Sequence, residues 1–212
     1  RATIDSTLGC CSNTGTSHGG HSDVGATGGQ HAMIDPQVLA DLGIPTTYGR
    51  NPRMRIHREA RELEDVEQNI IGRMQKLAPP TARAWRQMKQ EAAADGVELL
   101  LVSGFRSVSY QVELFRKKLA AGLDIHSILK VNAAPGFSEH HTGKAVDIAT
   151  PGTRPLTEDF ETSAAFAWLT KNAARFGFSL PYGRHNAAGI AYEPWHWSQL
   201  ERERRSSKSS HR

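Results

Sequence analysis

Three short segments of this 212-residue chain carry side chains whose types and spacing could bind a metal ion or move a proton. The first, residues 138–147, reads Ser-Glu-His-His-Thr-Gly-Lys-Ala-Val-Asp. His140 and Asp147 would lie more than ~20 Å apart in an extended chain, so they can share a ligand only if the chain folds back, and Gly143 is where it can. In the strand predicted next, Asp147 shares its face with alanines only, which leaves space for the partner that a buried carboxylate needs. On this segment alone, a capping Asp147 and a surface His140 explain the residues equally well.

The second segment is Glu193-Pro194-Trp195-His196-Trp197. His196 completes a His, Asp, His set, and three protein ligands leave a coordination position open for water, as in catalytic zinc sites. Nitrogen and carboxylate donors also suit other divalent ions. Pro194 disfavours a regular strand here, so a bend could bring Glu193 to the metal's water without making it a ligand. The two tryptophans are predicted to pack and to form the cleft wall.

The third segment, Ser103-Gly104-Phe105-Arg106-Ser107, is followed by Gln111. Arg106 stands between the end of an apolar strand and the start of a helix. An arginine fixed in this way can hold a carboxylate through two parallel hydrogen bonds. Without the other two segments, an ordinary surface arginine would be the simpler interpretation.

The remaining histidines and the two cysteines are predicted to have passive roles. His141 is a rival ligand by composition because it adjoins His140. His126 and His185 are interpreted as ordinary residues, although His185 could line the cleft. Three histidines lie in or beside the Gly-rich start of the chain and are predicted to bind no metal: His18, His21 and His31. The adjacent Cys10 and Cys11 are predicted to form neither a metal site nor a disulfide framework.

The elements that must position these residues follow from periodicity and from Gly and Pro signals. A three-four spacing predicts a helix over residues 56–77, which Pro79 and Pro80 end, and Thr81 is predicted to cap a second helix. Further helices are predicted over 107–121 and 159–176, and strands over 97–102, 144–149, 178–182 and 190–197. The irregular order of helices and strands predicts an α+β fold, with a small antiparallel sheet flanked by helices and an N-terminal helical extension.

Composition divides the chain and excludes some function classes. Residues 1–31 are predicted to be a flexible Gly/Ser/Thr-rich segment, 32–79 the helical extension, 80–200 the functional domain and 201–212 a basic flexible tail. The tail carries +3 of the net charge of +4. The body therefore lacks the dense basic stripe of a nucleic-acid groove, and no apolar run is long enough for a membrane span. A monomer is favoured.

Together the three segments resemble one family, the VanY-type zinc D-alanyl-D-alanine carboxypeptidases of the LAS superfamily of peptidoglycan peptidases. The matching patterns are Ser-x-His-x-x-Gly-x-Ala-x-Asp, Glu-Pro-Trp-His-Trp and Ser-Gly-Phe-Arg-Ser with the glutamine, and they cover residues 80–200. The family more often has Tyr where Phe105 stands. For residues 1–79 the resemblance offers no counterpart. It implies zinc ligands His140, Asp147 and His196, the catalytic base Glu193, and substrate contacts from Arg106, Ser138 and Gln111.

The resemblance also implies one zinc per chain and hydrolysis of the C-terminal D-Ala from peptidoglycan stem peptides. An L-Ala-D-Glu endopeptidase, a D-Ala-D-Ala dipeptidase and a non-catalytic, zinc-stabilised wall-binding module remain as alternatives. Glu193 favours an enzyme, because a structural module has no need of a carboxylate beside an open zinc position. The expected location is the periplasm or the cell envelope, although no export signal is visible in this chain.

Overall fold

The structure, a computed structural model, describes residues 34–51 and 54–199. The predictions for segments 1–31 and 201–212, including those for His18, His21, His31 and the cysteine pair, lie outside the described residues. Among the helices it does describe, none combines the length and the apolar character needed to cross a membrane.

The described chain alternates helices and short strands irregularly. The helices are α1 (Pro36–Asp41), α2 (Pro79–Ala94), α3 (Val108–Ala120), α4 (Ile125–Val131) and α5 (Ala164–Asn172), and the strands are β1 (Glu64–Gln68), β2 (Met74–Leu77), β3 (Leu100–Ser103), β4 (Ala145–Ala149) and β5 (His196–Ser198). Three 3₁₀ helices lie at Glu139–Thr142, Glu158–Thr162 and Ala173–Phe176. This arrangement confirms the predicted α+β class.

A three-stranded antiparallel sheet in the order β3-β4-β5 forms the centre of the molecule. Every residue of β4 is buried, because neighbouring strands cover both of its edges and packed elements cover both faces. Val146 and Ile148 belong to the main apolar core. Asp147 alternates with them and therefore points to the opposite face of the sheet.

Two apolar clusters hold the helices in place. In the larger one, α2 and α5 pack on the sheet through side chains that include Trp85, Met88, Leu101, Leu169, Phe178 and Trp197. The smaller one joins the α1 region to α3 and α4 through Leu42, Ile44, Val112, Phe115, Ile128 and Ala134. Residues before α2 contribute to both clusters: Leu42 and Ile44 belong to the smaller one, and Leu77 lies fully buried in the larger one.

The predicted helix over residues 56–77 is wrong, because β1 and β2 pair there as an antiparallel hairpin. Asn69 organises its turn: its Oδ1 accepts hydrogen bonds from the amides of Ile71 and Arg73. Gly72 supplies the left-handed backbone that the turn requires, with φ of 75°. Met74, one of the residues that produced the helical spacing, is exposed in the hairpin.

Two smaller predictions also need correction. Helix α2 begins at Pro79 rather than being capped by Thr81, because a proline fits the first turn of a helix, where its missing N–H costs nothing. In place of strands over 178–182 and 190–197, there are a single bridge at Ser179 and the short strand β5. The other helices and strands lie close to their predicted ranges, and the helix predicted over 159–176 is interrupted at Ser163.

Candidate active site

The structure brings His140, Asp147 and His196 together into one buried group. One possible ligand atom from each residue lies within 4.8 Å of the other two. Asp147 stands opposite His196 in the β4–β5 register, so the sheet itself sets their separation. His140 reaches them from the 3₁₀ helix before β4, where Gly143 turns the chain back with φ of 65°. The fold-back predicted at Gly143 is therefore confirmed.

His140 presents a bare lone pair to this group. Its Nδ1 lies 2.6 Å from the carbonyl oxygen of Gly104, which can only accept, so Nδ1 carries the proton. Its Nε2 is buried, has no hydrogen-bond partner, and faces Asp147 Oδ2 at 3.2 Å. Burial, together with the charge of Arg106, lowers the pKa of His140 to about 4, so the imidazole is neutral. Two facing acceptors repel unless a cation lies between them, and this arrangement fits a metal ion.

His196 has an acidic neighbour at each ring nitrogen. Its Nδ1 lies 3.0 Å from Asp147 Oδ1, and its Nε2 lies 3.0 Å from Glu139 Oε2. Burial opposes the charged imidazole, but these two carboxylates outweigh it and raise the pKa of His196 to about 10. Tyr182 stacks on the ring, with centroids 4.7 Å apart. A metal ion at the group would replace the Nδ1 proton, while Glu139 would keep the proton on Nε2.

Glu139 is a functional residue that the sequence analysis missed. It belongs to the 3₁₀ helix Glu139–Thr142 and is buried, with its carboxylate on the far side of the His196 ring from Asp147. Burial favours its neutral form, but the hydrogen bond and charge of His196 lower its pKa below the usual range. The signal that could have found it is its place in the sequence: an acidic residue directly before one candidate ligand.

Glu193 lies beside the metal-binding group. Its Oε2 is 4.0 Å from Nδ1 of His196, because residues 193–196 form a turn in which His196 N–H donates to Glu193 O at 3.1 Å. Burial raises the pKa of its carboxyl to about 7, against the lowering effect of His196. A divalent cation nearby would lower this pKa again. The carboxyl thus lies close enough to the group to exchange a proton with a water bound there.

Arg106 lies near the same group, and both Arg106 and Gln111 have a buried polar atom without a partner. Arg106 Nε is buried and has no hydrogen-bond partner among the described residues, and its charge acts on both His140 and Glu193. Gln111 donates from Nε2 to the carbonyl of Ala133 at 2.9 Å, while its buried Oε1 has no partner. Ser138 is buried at the N-terminus of the 3₁₀ helix, and its side chain does not cap that helix.

Three other described histidines contribute no ligand to the metal-binding group. His141 is fully buried, but both of its ring nitrogens are occupied by the backbone: Nδ1 lies 2.6 Å from Arg106 O, and Nε2 accepts from Gly136 N–H at 3.1 Å. It therefore has no nitrogen left for a metal. His126 and His185 are exposed.

The chain is similar in sequence to known proteins. Residues 74–201 match the VanY family, described as D-alanyl-D-alanine carboxypeptidase. The match spans more than half of the sequence, and the chain belongs to this family, as its three segments predicted. A D-alanyl-D-alanine carboxypeptidase of Enterococcus faecalis (strain ATCC 700802 / V583) is 29% identical over 143 residues, which cover 63% of this chain and 52% of the relative.

Two solved structures share the fold. The LdcB LD-carboxypeptidase has a TM-score of 0.60 and 31% identity, covering 68% of this chain and 70% of its own. A variant of the vancomycin resistance D,D-pentapeptidase VanY from a VanB-type cassette, solved in complex with Zn(II), has a TM-score of 0.51 and 27% identity, covering 69% and 80%. The chain spans about half the length of the first curated relatives that it matches.

Proposed function

We propose that this chain is a zinc-dependent peptidase that removes the C-terminal D-Ala from peptidoglycan stem peptides. The observation that carries the proposal is the buried His140, Asp147 and His196 group with the Glu193 carboxyl 4.0 Å from one of its nitrogens. Two imidazoles and one carboxylate are the donor set of an open catalytic zinc site. The VanY relative solved with Zn(II) supports the choice of metal.

Zinc held by these three residues, one ion per chain, would polarise the scissile carbonyl and lower the pKa of a bound water. Glu193 then takes the proton of the attacking water and gives it to the leaving amine. The burial that raises the pKa of Glu193 and the lowering effect of the cation oppose each other, so the carboxyl can both accept and return a proton. Glu139 holds the proton on His196 Nε2, so the other nitrogen stays available as a ligand.

Arg106 and Ser138 are proposed to hold the terminal carboxylate of the substrate, and Gln111 to contact another part of the peptide. The unpartnered buried Nε of Arg106 is a donor that such a carboxylate would satisfy. The unpartnered Oε1 of Gln111 can accept an amide N–H of the peptide. An anchor for a free carboxylate favours removal of one terminal residue over cleavage inside the stem, which is the L-Ala-D-Glu endopeptidase alternative.

The bond before the last residue of the substrate could be of the D,D type or of the L,D type. Likeness to the LdcB LD-carboxypeptidase favours cleavage of an L,D bond in a tetrapeptide, whereas the Enterococcus faecalis relative is named for D-alanyl-D-alanine. With either activity, the proposed location is the peptidoglycan, in the periplasm or the cell envelope. A monomer is proposed, as expected from the sequence.

Defined tri-, tetra- and pentapeptide muropeptides, incubated with the zinc-loaded protein and analysed by mass spectrometry, test the proposal. Loss of one alanine from the pentapeptide alone indicates the D,D activity, and loss from the tetrapeptide indicates the L,D activity. A cut inside the stem would identify the endopeptidase alternative, and hydrolysis of free D-Ala-D-Ala, offered as a further substrate, would identify the dipeptidase. The absence of any product with zinc bound would leave the non-catalytic wall-binding module.

A further inference from the structure

Two adjacent histidines of the 3₁₀ helix Glu139–Thr142 hold the backbone of residues 104–106 at three points. His140 Nδ1 donates to Gly104 O at 2.6 Å, and His140 O accepts from Arg106 N–H at 3.2 Å. His141 Nδ1 then donates to Arg106 O at 2.6 Å. The carbonyl and the amide of Arg106 are therefore both bound to the turn that supplies a ligand of the metal-binding group.

His141 is suited to this position by its two ring nitrogens. Because Arg106 O can only accept, Nδ1 carries the proton and Nε2 is the acceptor for Gly136 N–H at 3.1 Å. The ring is a neutral bridge between two loops. Its own carbonyl accepts from Ala60 N–H at 2.8 Å, so the turn is also held from the chain segment that precedes β1.

We infer that His141 is a positioning residue that fixes the distance from Arg106 to the metal-binding group and so gives the enzyme its selectivity for a free C-terminal carboxylate. The inference rests on the proposed function. The guanidinium can clamp a carboxylate only if its backbone stays fixed relative to the reacting carbonyl. A displacement of about 1 Å at such an anchor can cost ~100-fold in rate.

The test compares a peptide ending in D-Ala with its C-terminal amide on the full zinc-loaded chain. In His141→Phe an aromatic ring remains at this position, but both hydrogen bonds of the imidazole are lost. If His141→Phe does not fold, His141→Ala is used in its place. His141→Asn keeps a donor at the place of Nδ1 and loses the Gly136 contact. Thr142→Val is the matched control, since it removes hydrogen bonds of the same turn, to Glu139 O and from Lys144 N–H, but none to residues 104–106.

Two readouts are compared: the acid-to-amide ratio of kcat/KM, and the acid-to-amide ratio of Kd measured by calorimetry in a Glu193→Gln background. We expect the wild-type preference for the acid to fall by ~10- to 100-fold in His141→Phe. The preference for the acid should stay within about threefold of the wild-type value in His141→Asn and Thr142→Val, and all variants should contain equal zinc.

An unchanged preference in a folded, zinc-loaded His141→Phe or His141→Ala would overturn the inference, and so would an equal loss in His141→Asn. A wild-type enzyme that cleaves peptides but does not prefer the acid would instead overturn the proposed carboxypeptidase function. The two failures are therefore distinguishable.

Discussion

The Glu193 carboxyl combines burial, a pKa raised to about 7, and a position 4.0 Å from a nitrogen of the metal-binding group. Glu193→Gln keeps the size of the side chain but removes its basicity. We expect turnover to fall by ~100- to 10,000-fold, as for the loss of a positioned base, while zinc and peptide still bind. Steady-state kinetics and metal analysis of the same preparation check both parts.

His196→Ala is the control for this experiment, because it should lose most of the zinc as well as the activity. If Glu193→Gln also loses zinc, Glu193 is a ligand and the assignment of three ligands is incomplete. If the variant keeps activity within about tenfold of the parent, another group is the base.

We expect Glu139 to act on the metal through His196 and not by direct contact. Its Oε2 lies 3.0 Å from Nε2 of that ring. Glu139→Ala should weaken zinc binding by ~10- to 100-fold, since outer carboxylates orient and polarise a ligating imidazole. Competition with a chelator of known affinity measures the change. Glu193→Gln should show the parent's affinity in the same assay, and equal losses in the two variants would contradict the assignment.

The sequence predicted the ligand group at the residue scale because its members are chemically distinctive and close to turn signals. Gly143 predicts the fold-back that brings His140 to Asp147. Glu139 and His141 could not be assigned in the same way. Their partners, His196 and Arg106, are distant in sequence, and the packing of the 3₁₀ helix against β5 and residues 104–106 is what brings each pair together.

At the scale of elements, the strands of the central sheet were predictable and the β1–β2 hairpin was not. The buried alternation in β2 spans only its four residues, with Gln75 and Leu77 inside. A period of two cannot be separated from a helical spacing over so short a stretch. The turn signal, Asn69 followed by Gly72, was present and was the better guide.

The hairpin matters for the site because β2 packs directly against Gly104. A Cβ at Gly104 would lie 2.6 Å from the carbonyl oxygen of Lys76, which is backbone and cannot swing away. Gly104→Ala should therefore cost about 1–3 kcal/mol of stability, as overpacking does. It should also reduce turnover, since Gly104 O holds His140 at 2.6 Å.

Gly183→Ala is the matched control, because a Cβ there meets nothing within 4 Å. Its free energy of unfolding should stay within about 0.5 kcal/mol of the parent. Denaturant unfolding of both variants, followed by kinetics, checks the prediction. Equal stability of the two variants would mean that β2 shifts freely and does not support the site.

At the scale of the whole molecule, the apolar clusters and the metal-binding group are separate. The larger cluster lies on the Val146 and Ile148 face of β4, and Asp147 faces the other way. Without zinc, the imidazolium of His196 lies between Asp147 and Glu139 and balances part of their charge. The described unit therefore has a core that does not depend on the metal, and chelation should leave it folded.

The charge state of His196 gives the metal-free protein a characteristic pH dependence. The folded pKa of about 10 lies above the ordinary 6.5, so the folded protein binds a proton that the unfolded chain has released. The stability from this group is complete below pH 6.5 and declines as pH rises toward 10, by at most ~1.4 kcal/mol per pH unit. Glu193 and His140, with pKa values of about 7 and about 4, add little to the change of stability with pH above pH 7. We therefore expect the melting temperature of the chelated protein to fall between pH 7 and 10.

Thermal melts followed by circular dichroism at several values in this range, with and without zinc, measure the effect. Zinc should flatten the slope, because the metal takes the place of the Nδ1 proton and the site no longer loses it as pH rises. His196→Ala, measured without metal, should also lack this component of the slope. If that variant declines as steeply as the chelated parent, the loss of stability arises from other titrating groups, and the imidazolium between the two carboxylates does not stabilise the metal-free fold.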